Sequence, residues 1–309
     1  MESKNTHPES LMEAVTFFSD KHVCHDYMTR IKWPDGCVTC PQCKSKNIGE
    51  IKTRCMFKCR DCKKQFSTKV GTIFEDSPLS LQKWFVAVWC IANAKNGISS
   101  CELARAIKVT QKTAWFMLHR IRLAMKTQSF TKRIKGEIEG DETFIGGKMR
   151  NMHKSKRAAL PKGRGTVGKA IVQGLIERGG EVRVRVVKDQ RRSTLQPIIR
   201  EHVEPGSAVY TDALKSYEGL SDDYVHAVVD HAVEYVNGRV HTNCMENFWS
   251  LLKRALMGTY VAVRPEHLDA YLDEQMMRFN ARNGDDAGRF RQVMGNVSGR
   301  RVTYRELTA

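Results

Sequence analysis

Three acidic residues stand out by their surroundings. Asp141 lies in Ile138-Glu139-Gly140-Asp141-Glu142-Thr143-Phe144-Ile145-Gly146-Gly147, Asp212 closes Ala208-Val209-Tyr210-Thr211-Asp212, and Glu246 opens Glu246-Asn247-Phe248-Trp249-Ser250-Leu251-Leu252-Lys253-Arg254. Three carboxylates brought together can hold a pair of hard divalent cations, and the chemistry open to such a pair is the cutting and joining of phosphodiesters. Taken singly, an acidic residue is ordinarily a solvated surface group, as Asp222, Asp223, Asp230, Asp285 and Asp286 illustrate. The context lifts the three above that background.

Their positions require particular elements. Alternation predicts a strand over 135–143, on which Asp141 shares a face with Glu139 and Glu137, opposite Ile138. Gly140, Gly146 and Gly147 leave room for close approach of backbone or ligand. A hairpin follows: strands over 170–178 and 181–188, joined at Gly179-Gly180. A helix is predicted over 193–202 and further strands over 208–212 and 224–229, so that Asp212 ends a strand and projects at a sheet edge. A last helix runs from 243 to 256, with Met245, Phe248, Trp249, Leu252 and Leu256 as its apolar stripe. Glu246 and Lys253 lie two turns apart at the border of that stripe, a carboxylate for metal and a cation for a bound phosphate.

Cysteine spacing marks a second chemistry. Cys40-Pro41-Gln42-Cys43 and Cys59-Arg60-Asp61-Cys62 are two knuckles that can close a sulfur tetrahedron around Zn²⁺. Lysines 44, 46, 52, 58, 63 and 64 favour the thiolates. Cys37 and Cys55 are surplus, and Cys37-Val38-Thr39-Cys40 is itself a possible knuckle; Pro41 favours Cys40. Cys24, Cys90, Cys101 and Cys244 read as small buried hydrophobes.

Between these regions a helix-turn-helix is predicted. Ile98–Ile107 carries an N-cap serine, Val109-Thr110 breaks the helix, and Gln111–Arg122 continues with Ala114, Met117, Leu118, Ile121 and Met125 as one stripe. Lys112, His119, Arg120 and Arg122 lie off the stripe and are the candidate DNA contacts.

Composition agrees with a polyanionic partner. The 309 residues carry 51 Lys and Arg against 34 Asp and Glu, a net +17. No apolar run is long enough to span a membrane, and the N-terminus lacks a secretory signal; the expectation is the cytoplasm, at a bacterial nucleoid. A reducing compartment makes disulfides unlikely partners for the ten cysteines. The domain plan is a helical lead over 1–34, a zinc ribbon over 35–70, a helix-turn-helix domain over 78–127, an α/β domain over 132–282, and a basic tail over 283–309. The stretch from Lys148 to Lys169 holds eight basic residues and no acid, and reads as a DNA-contacting loop.

The chain resembles DDE-type transposases of the zinc-ribbon-bearing insertion-sequence group, with the ISXO-like domain and a relation to Merlin elements. The resemblance rests on Cys-Pro-x-Cys at 40–43, Gly71-Thr72-Ile73-Phe74, Thr113–Arg122, Gly140–Lys148, Tyr210-Thr211-Asp212, His241-Thr242-Asn243 with Glu246–Arg254, Gly258-Thr259-Tyr260, and Tyr271–Glu274 with Arg278-Phe279-Asn280. It implies a ribonuclease-H-like catalytic domain. Asp141, Asp212 and Glu246 would be the triad that binds Mg²⁺ (or Mn²⁺), and Lys253 the accompanying basic residue. Asn243, one turn before Glu246, is the alternative third ligand; the charge of Glu246 and its spacing to Lys253 favour Glu246. The partners implied are double-stranded DNA, both the element's terminal inverted repeats and target DNA, and a second copy of the chain in a synaptic homodimer or larger assembly. A DNA-binding regulator with an idle nuclease, or a plain nuclease, would share much of this pattern.

Overall fold

The structure is a computed structural model that describes residues 8–126, 132–147, 151–158, 166–229 and 240–309. Its elements, in chain order, are α1 (Leu11–Phe17), α2 (Lys21–Lys32), β1 (Ile48–Ile51), β2 (Met56–Cys59), β3 (Gln65–Phe66), α3 (Leu81–Asn93), α4 (Ser100–Ile107), α5 (Gln111–Met125), β4 (Glu137–Ile145), α6 (Lys154–Ala158), β5 (Ala170–Glu177), β6 (Val182–Val187), α7 (Arg192–His202), β7 (Ala208–Asp212), β8 (Val225–Val229), α8 (Asn243–Arg254), α9 (Leu268–Asn280), α10 (Asp286–Gly295) and α11 (Tyr304–Thr308). They fall into two compact units, one made of Met1–Lys126 with Ala281–Ala309, the other of Thr127–Asn280. No helix among the described residues is long and apolar enough to cross a membrane.

The first unit is built around α3. This helix starts at an N-cap, the Ser80 hydroxyl accepting from the Lys83 amide. It is apolar on most of its circumference, with Trp84, Phe85, Val88, Trp89 and Ile91 buried, so it needs neighbours all round. Phe18 supplies one, its ring 4.7 Å from that of Phe85, and Phe290 of α10 supplies another, 5.2 Å from Trp89. The stretch after 282, expected as a basic tail, therefore contains a core helix of this unit. Two of its arginines are engaged here: Arg289 donates to the Asn93 side chain at 2.9 Å, and Arg300 to the Leu123 and Lys126 carbonyls. The helical pair α4–α5 forms as its caps predict. Ser99 and Glu102 make a reciprocal capping box, Lys108 ends α4 in the left-handed region, and the Thr110 hydroxyl caps α5.

In the same unit β1, β2 and β3 form a small antiparallel sheet in that order. Phe57 and Phe66 make its core with Cys40 and Cys59, and Trp33, Val38 and Val70 pack at the margin. So small a core is a poor basis for independent stability without a metal.

The second unit is a five-stranded sheet in the order β6-β5-β4-β7-β8. The pairs β4–β5 and β5–β6 are antiparallel, while β4–β7 and β7–β8 are parallel. The parallel step needs a crossover, which the segment carrying α7 supplies. One face of the sheet packs Ile138, Leu175 and Val209 against Leu195, Ile199 and Tyr217. The other packs Val172, Ile176 and Val184 against Met245, Phe248, Trp249 and Leu252 of α8 and Leu272 and Met276 of α9. The stripe predicted on α8 is the one buried. Asp212 ends β7, as the sequence suggested, and β7 is an interior strand with β8 outside it.

Candidate active site

Strand alternation sorts the acidic residues of β4. Ile138 is fully buried toward α7, which sends Glu139 and Asp141 toward α8. Glu139 pairs with Tyr210 across the parallel β4–β7 ladder. Two residues further along both strands, the same face carries Asp141 and Asp212, so the sheet itself brings these two carboxylates together.

The third comes from α8, and Glu139 fixes where that helix begins. Its carboxylate is fully buried and accepts the backbone N–H groups of Cys244 and Met245 at 2.8 and 3.0 Å. Thr242, the residue before the helix, makes no side-chain cap, so a strand residue performs the capping from across the site. Arg178 closes the arrangement. It donates to Glu139 at 2.8 Å and to the His241 carbonyl at 2.9 Å, and it stacks on the Tyr210 ring at 4.5 Å. Glu246, two residues into α8 from this anchor, lies on its exposed side together with Asn243, and Lys253 is partly exposed two turns on.

Asp141 is held by two donors. Oδ2 accepts the Trp249 indole N–H at 2.9 Å and Oδ1 the Glu142 amide at 2.8 Å. Trp249 reaches it because β5 carries Gly174 directly opposite Asp141. A Cβ there would lie 2.7 Å from the Trp249 ring and 2.4 Å from the Met245 methyl. Glycine at this position is a space requirement imposed by the indole.

Burial pushes the Asp141 carboxyl up from 3.8 to about 6, with the charges of Asp212 and Glu246 adding to the rise against the two hydrogen bonds. Glu142, on the opposite face, is pushed from 4.5 to about 8 by burial and by the charges of Asp141 and Asp212. It accepts the Tyr217 hydroxyl and the Gln190 amide. Hard oxygen donors that crowd one another this way fit a divalent cation, which removes the repulsion. The three carboxylates are not drawn as tightly as a closed metal site. Among the described residues, only Cys40, Cys43, Cys59 with Cys62, and His25, Asp26 with Glu50, have all their ligand atoms within 4.8 Å.

The four cysteines do converge. Sγ of Cys40 is 3.7 Å from that of Cys62, and Sγ of Cys43 is 3.5 Å from that of Cys59. Each knuckle is followed by a lysine in the left-handed region, Lys44 at φ 60° and Lys63 at φ 63°. Within the knuckles, the Gln42 and Cys43 amides pull the Cys40 thiol down to about 6, and those of Asp61 and Cys62 lower that of Cys59. This donor set fits Zn²⁺. Cys37 and Cys55 stand outside it: Cys37 is exposed, and the Cys55 thiol lies 3.5 Å from His22. Of the cysteines expected to be buried, Cys24 is, Cys90 and Cys244 are partly so, and Cys101 is exposed.

The candidate DNA contacts on α5 divide. Lys112 is exposed. His119, Arg120 and Arg122 are 3%, 3% and 1% exposed and cannot reach a groove from there. The surroundings of Arg120 come from elsewhere in the same unit, the stretch before α3 and α3 itself, together with the neighbouring turn of α5. Arg120 donates to the Glu75 carbonyl and stacks over Trp84 and Phe116, with Arg301 among the charges that act on it. Tyr304 packs against Phe116 and under the Lys112 ammonium. Of the basic stretch from Lys148 to Lys169, residues 148–150 and 159–165 lie outside the described residues.

Sequence reasoning did not assign the anchoring roles of Glu139, Arg178 and Trp249, or the burial of Glu142. Gly174 inside an apolar strand was a readable signal of close approach; nothing in the sequence pattern marks Arg178.

Two families match the chain: the transposase zinc-ribbon domain over residues 19–65 and the ISXO2-like transposase domain over residues 133–280. An uncharacterized protein in transposable element ISH50 of Halobacterium salinarum is 30% identical over 281 residues, covering 87% of this chain and 93% of that protein. An uncharacterized transposase-like protein of Haemophilus influenzae is 38% identical over 96 residues, covering 31% of this chain and 77% of that one. Among solved structures, a pre-cleavage Mos1 transpososome matches 67% of this chain and 73% of its own at 13% identity and a TM-score of 0.27, a likeness too slight to bear on the fold.

Proposed function

The chain belongs to the insertion-element transposases that join a zinc ribbon to an ISXO2-like transposase domain, and from that premise we propose that it binds the ends of its element and cuts and joins DNA there. The observation that carries the reading is the pairing of β4 with β7, which sets Asp141 beside Asp212, under a helix that brings Glu246. The sheet order β6-β5-β4-β7-β8, three antiparallel strands and then two parallel ones, supports the ribonuclease-H-like reading that the family resemblance implies.

Asp141, Asp212 and Glu246 would hold Mg²⁺ or Mn²⁺, which when bound supplies activation of the attacking oxygen and stabilisation of the leaving one. The chain does the rest. Trp249 and the Glu142 amide orient Asp141, Glu139 and Arg178 fix the start of α8, and Lys253 offers a charge to the phosphate of the bound strand. No side chain need form a covalent intermediate, since water and then a DNA 3′-hydroxyl serve as nucleophiles. The zinc ribbon and the exposed start of α5, with Lys112, are the DNA-binding parts of this reading. Two DNA ends must be held at once, so a homodimer or larger assembly is expected.

The test is purified protein with Mg²⁺ or Mn²⁺ and DNA carrying the ends that flank its gene, beside Asp141→Asn. Cleavage and strand transfer that vanish in the variant support the reading. Cleavage without joining would point to a plain nuclease, and end binding without chemistry in either protein to a regulator.

A further inference from the structure

We propose that His25, Asp26 and Glu50 form a second cation site, separate from the four cysteines and suited to a divalent ion of zinc's kind. One ligand atom from each lies within 4.8 Å of the other two. His25 and Asp26 are consecutive on α2, and Glu50 is on β1. An ion here would tie the lead helix to the first strand of the ribbon, within one compact unit.

The imidazole is what separates this cluster from an ordinary surface group of acids. His25 is only 3% exposed, and its ring packs on that of Phe57 at 5.0 Å. Its Nε2 faces Glu50 Oε1 at 3.6 Å, too long for a hydrogen bond, and has no hydrogen-bond partner. A buried polar atom left in that state is unusual and asks for a partner. A proton shared with Glu50 would need a closer approach than the packing gives. A cation between nitrogen and oxygen needs the separation that is there, because two ligands of one ion sit further apart than a donor and its acceptor.

The donor set points to the kind of ion. One imidazole nitrogen with two carboxylates matches the mixed nitrogen and oxygen coordination that zinc accepts, and the two carboxylates balance its charge. Asp26 and Glu50 are both exposed, so water can complete the coordination from the solvent side. The inference does not depend on the DNA chemistry proposed above.

The test uses the full chain equilibrated with Zn²⁺, passed through a desalting column, and analysed for metal by mass spectrometry beside the Asp26→Asn/Glu50→Gln double variant. In parallel, Co²⁺ is substituted, since cobalt bound by four thiolates absorbs strongly through sulfur-to-metal charge transfer and cobalt bound by nitrogen and oxygen does not. The wild type is expected to hold two zinc ions per chain and the double variant one, with the cobalt–thiolate absorption unchanged. One ion in the wild type, or equal counts in both proteins, overturns the proposal. So does loss of the second ion in Asp141→Asn instead, which would assign it to the three carboxylates. Should the double variant lose the thiolate absorption, Glu50→Gln alone is scored the same way.

Discussion

In the ribbon all four ligands come from two turns of the same build, each a Cys-x2-Cys followed by a left-handed lysine. The three carboxylates come from two strands and a helix, and no local turn relates them. The sulfur site is therefore closed by backbone geometry within the knuckles themselves, while the oxygen site is assembled by residues that are not ligands. Glu139, Arg178, Trp249 and Gly174 set its shape. A site of the first kind lends its metal's binding energy to folding; one of the second kind is built by the fold and can remain open for a substrate.

Metal removal is the largest test of that contrast. Structural zinc in small domains is worth on the order of 10 kcal/mol or more, far beyond what a core of two phenylalanines can replace. Cys59→Ser, or a strong chelator, should strip hydrogen-exchange protection from β1–β3 and leave β4 and β5 protected. Withholding Mg²⁺ should leave protection in both regions unchanged. Protection of β1–β3 that survives zinc loss would remove the distinction between the two sites.

The second test acts on the residues that assemble the oxygen site. Glu139→Gln keeps the size of the side chain but removes the charge that receives two α8 amides and Arg178. Groups that orient metal ligands typically cost about 10–100-fold when changed. DNA cutting should fall by that order, and the Mg²⁺ concentration for half-maximal cutting should rise. A fall in rate at an unchanged Mg²⁺ requirement would mean that Glu139 merely supports the fold.

The same contrast explains what the sequence could and could not tell. The cysteine ligands are legible because their geometry is local: two short spacings specify the site, and the choice of Cys40 over Cys37 or Cys55 follows from the same turns. The strands and helices of the second unit are legible from periodicity, since one face of each is apolar. Asp141 can be nominated from its face of a strand and Asp212 from a strand end, but the ladder that makes them neighbours is a matter of topology. The misreading of His119, Arg120 and Arg122 has the same root. Their position off the apolar stripe is a local fact, and their burial comes from packing against distant parts of the unit, as Arg120 does on Glu75 and Trp84, which no local pattern on α5 can foresee.

A smaller effect is expected at Gly174. Alanine there would meet the Met245 methyl at 2.4 Å and the Trp249 ring at 2.7 Å. Overpacking of this kind costs about 1–3 kcal/mol. Gly174→Ala should lower the unfolding free energy of the second unit by that much, read as a lower urea midpoint at an unchanged slope, without altering zinc content. A neutral outcome would show that the indole has room to move, and that its hold on Asp141 is looser than the geometry implies.

The finest distinction is in pH. The folded-state pKa of Asp141 is raised to about 6 and that of Glu142 to about 8, both above the usual 3.8 and 4.5. A carboxyl raised on folding contributes stability that is fully present below its ordinary value and is lost as pH rises through the raised one. Without divalent metal, the thermal midpoint of the second unit should therefore decline between those limits, from the ordinary carboxylate range up to about 8. A cation reverses the balance at Asp141, because it binds the ionised form and competes with the proton. The stabilisation given by Mg²⁺ should be small below about 6 and grow above it, and DNA cutting should decline on acidification through the same value. The ribbon is expected to respond in the opposite sense, since its metal binds deprotonated sulfur and competes with protons for it. Acid should release its metal and thereby destabilise it. Differential scanning of the two units at matched pH, with and without Mg²⁺, reads both slopes. If Mg²⁺ stabilises the second unit equally across the range, Asp141 is not among the groups that hold it.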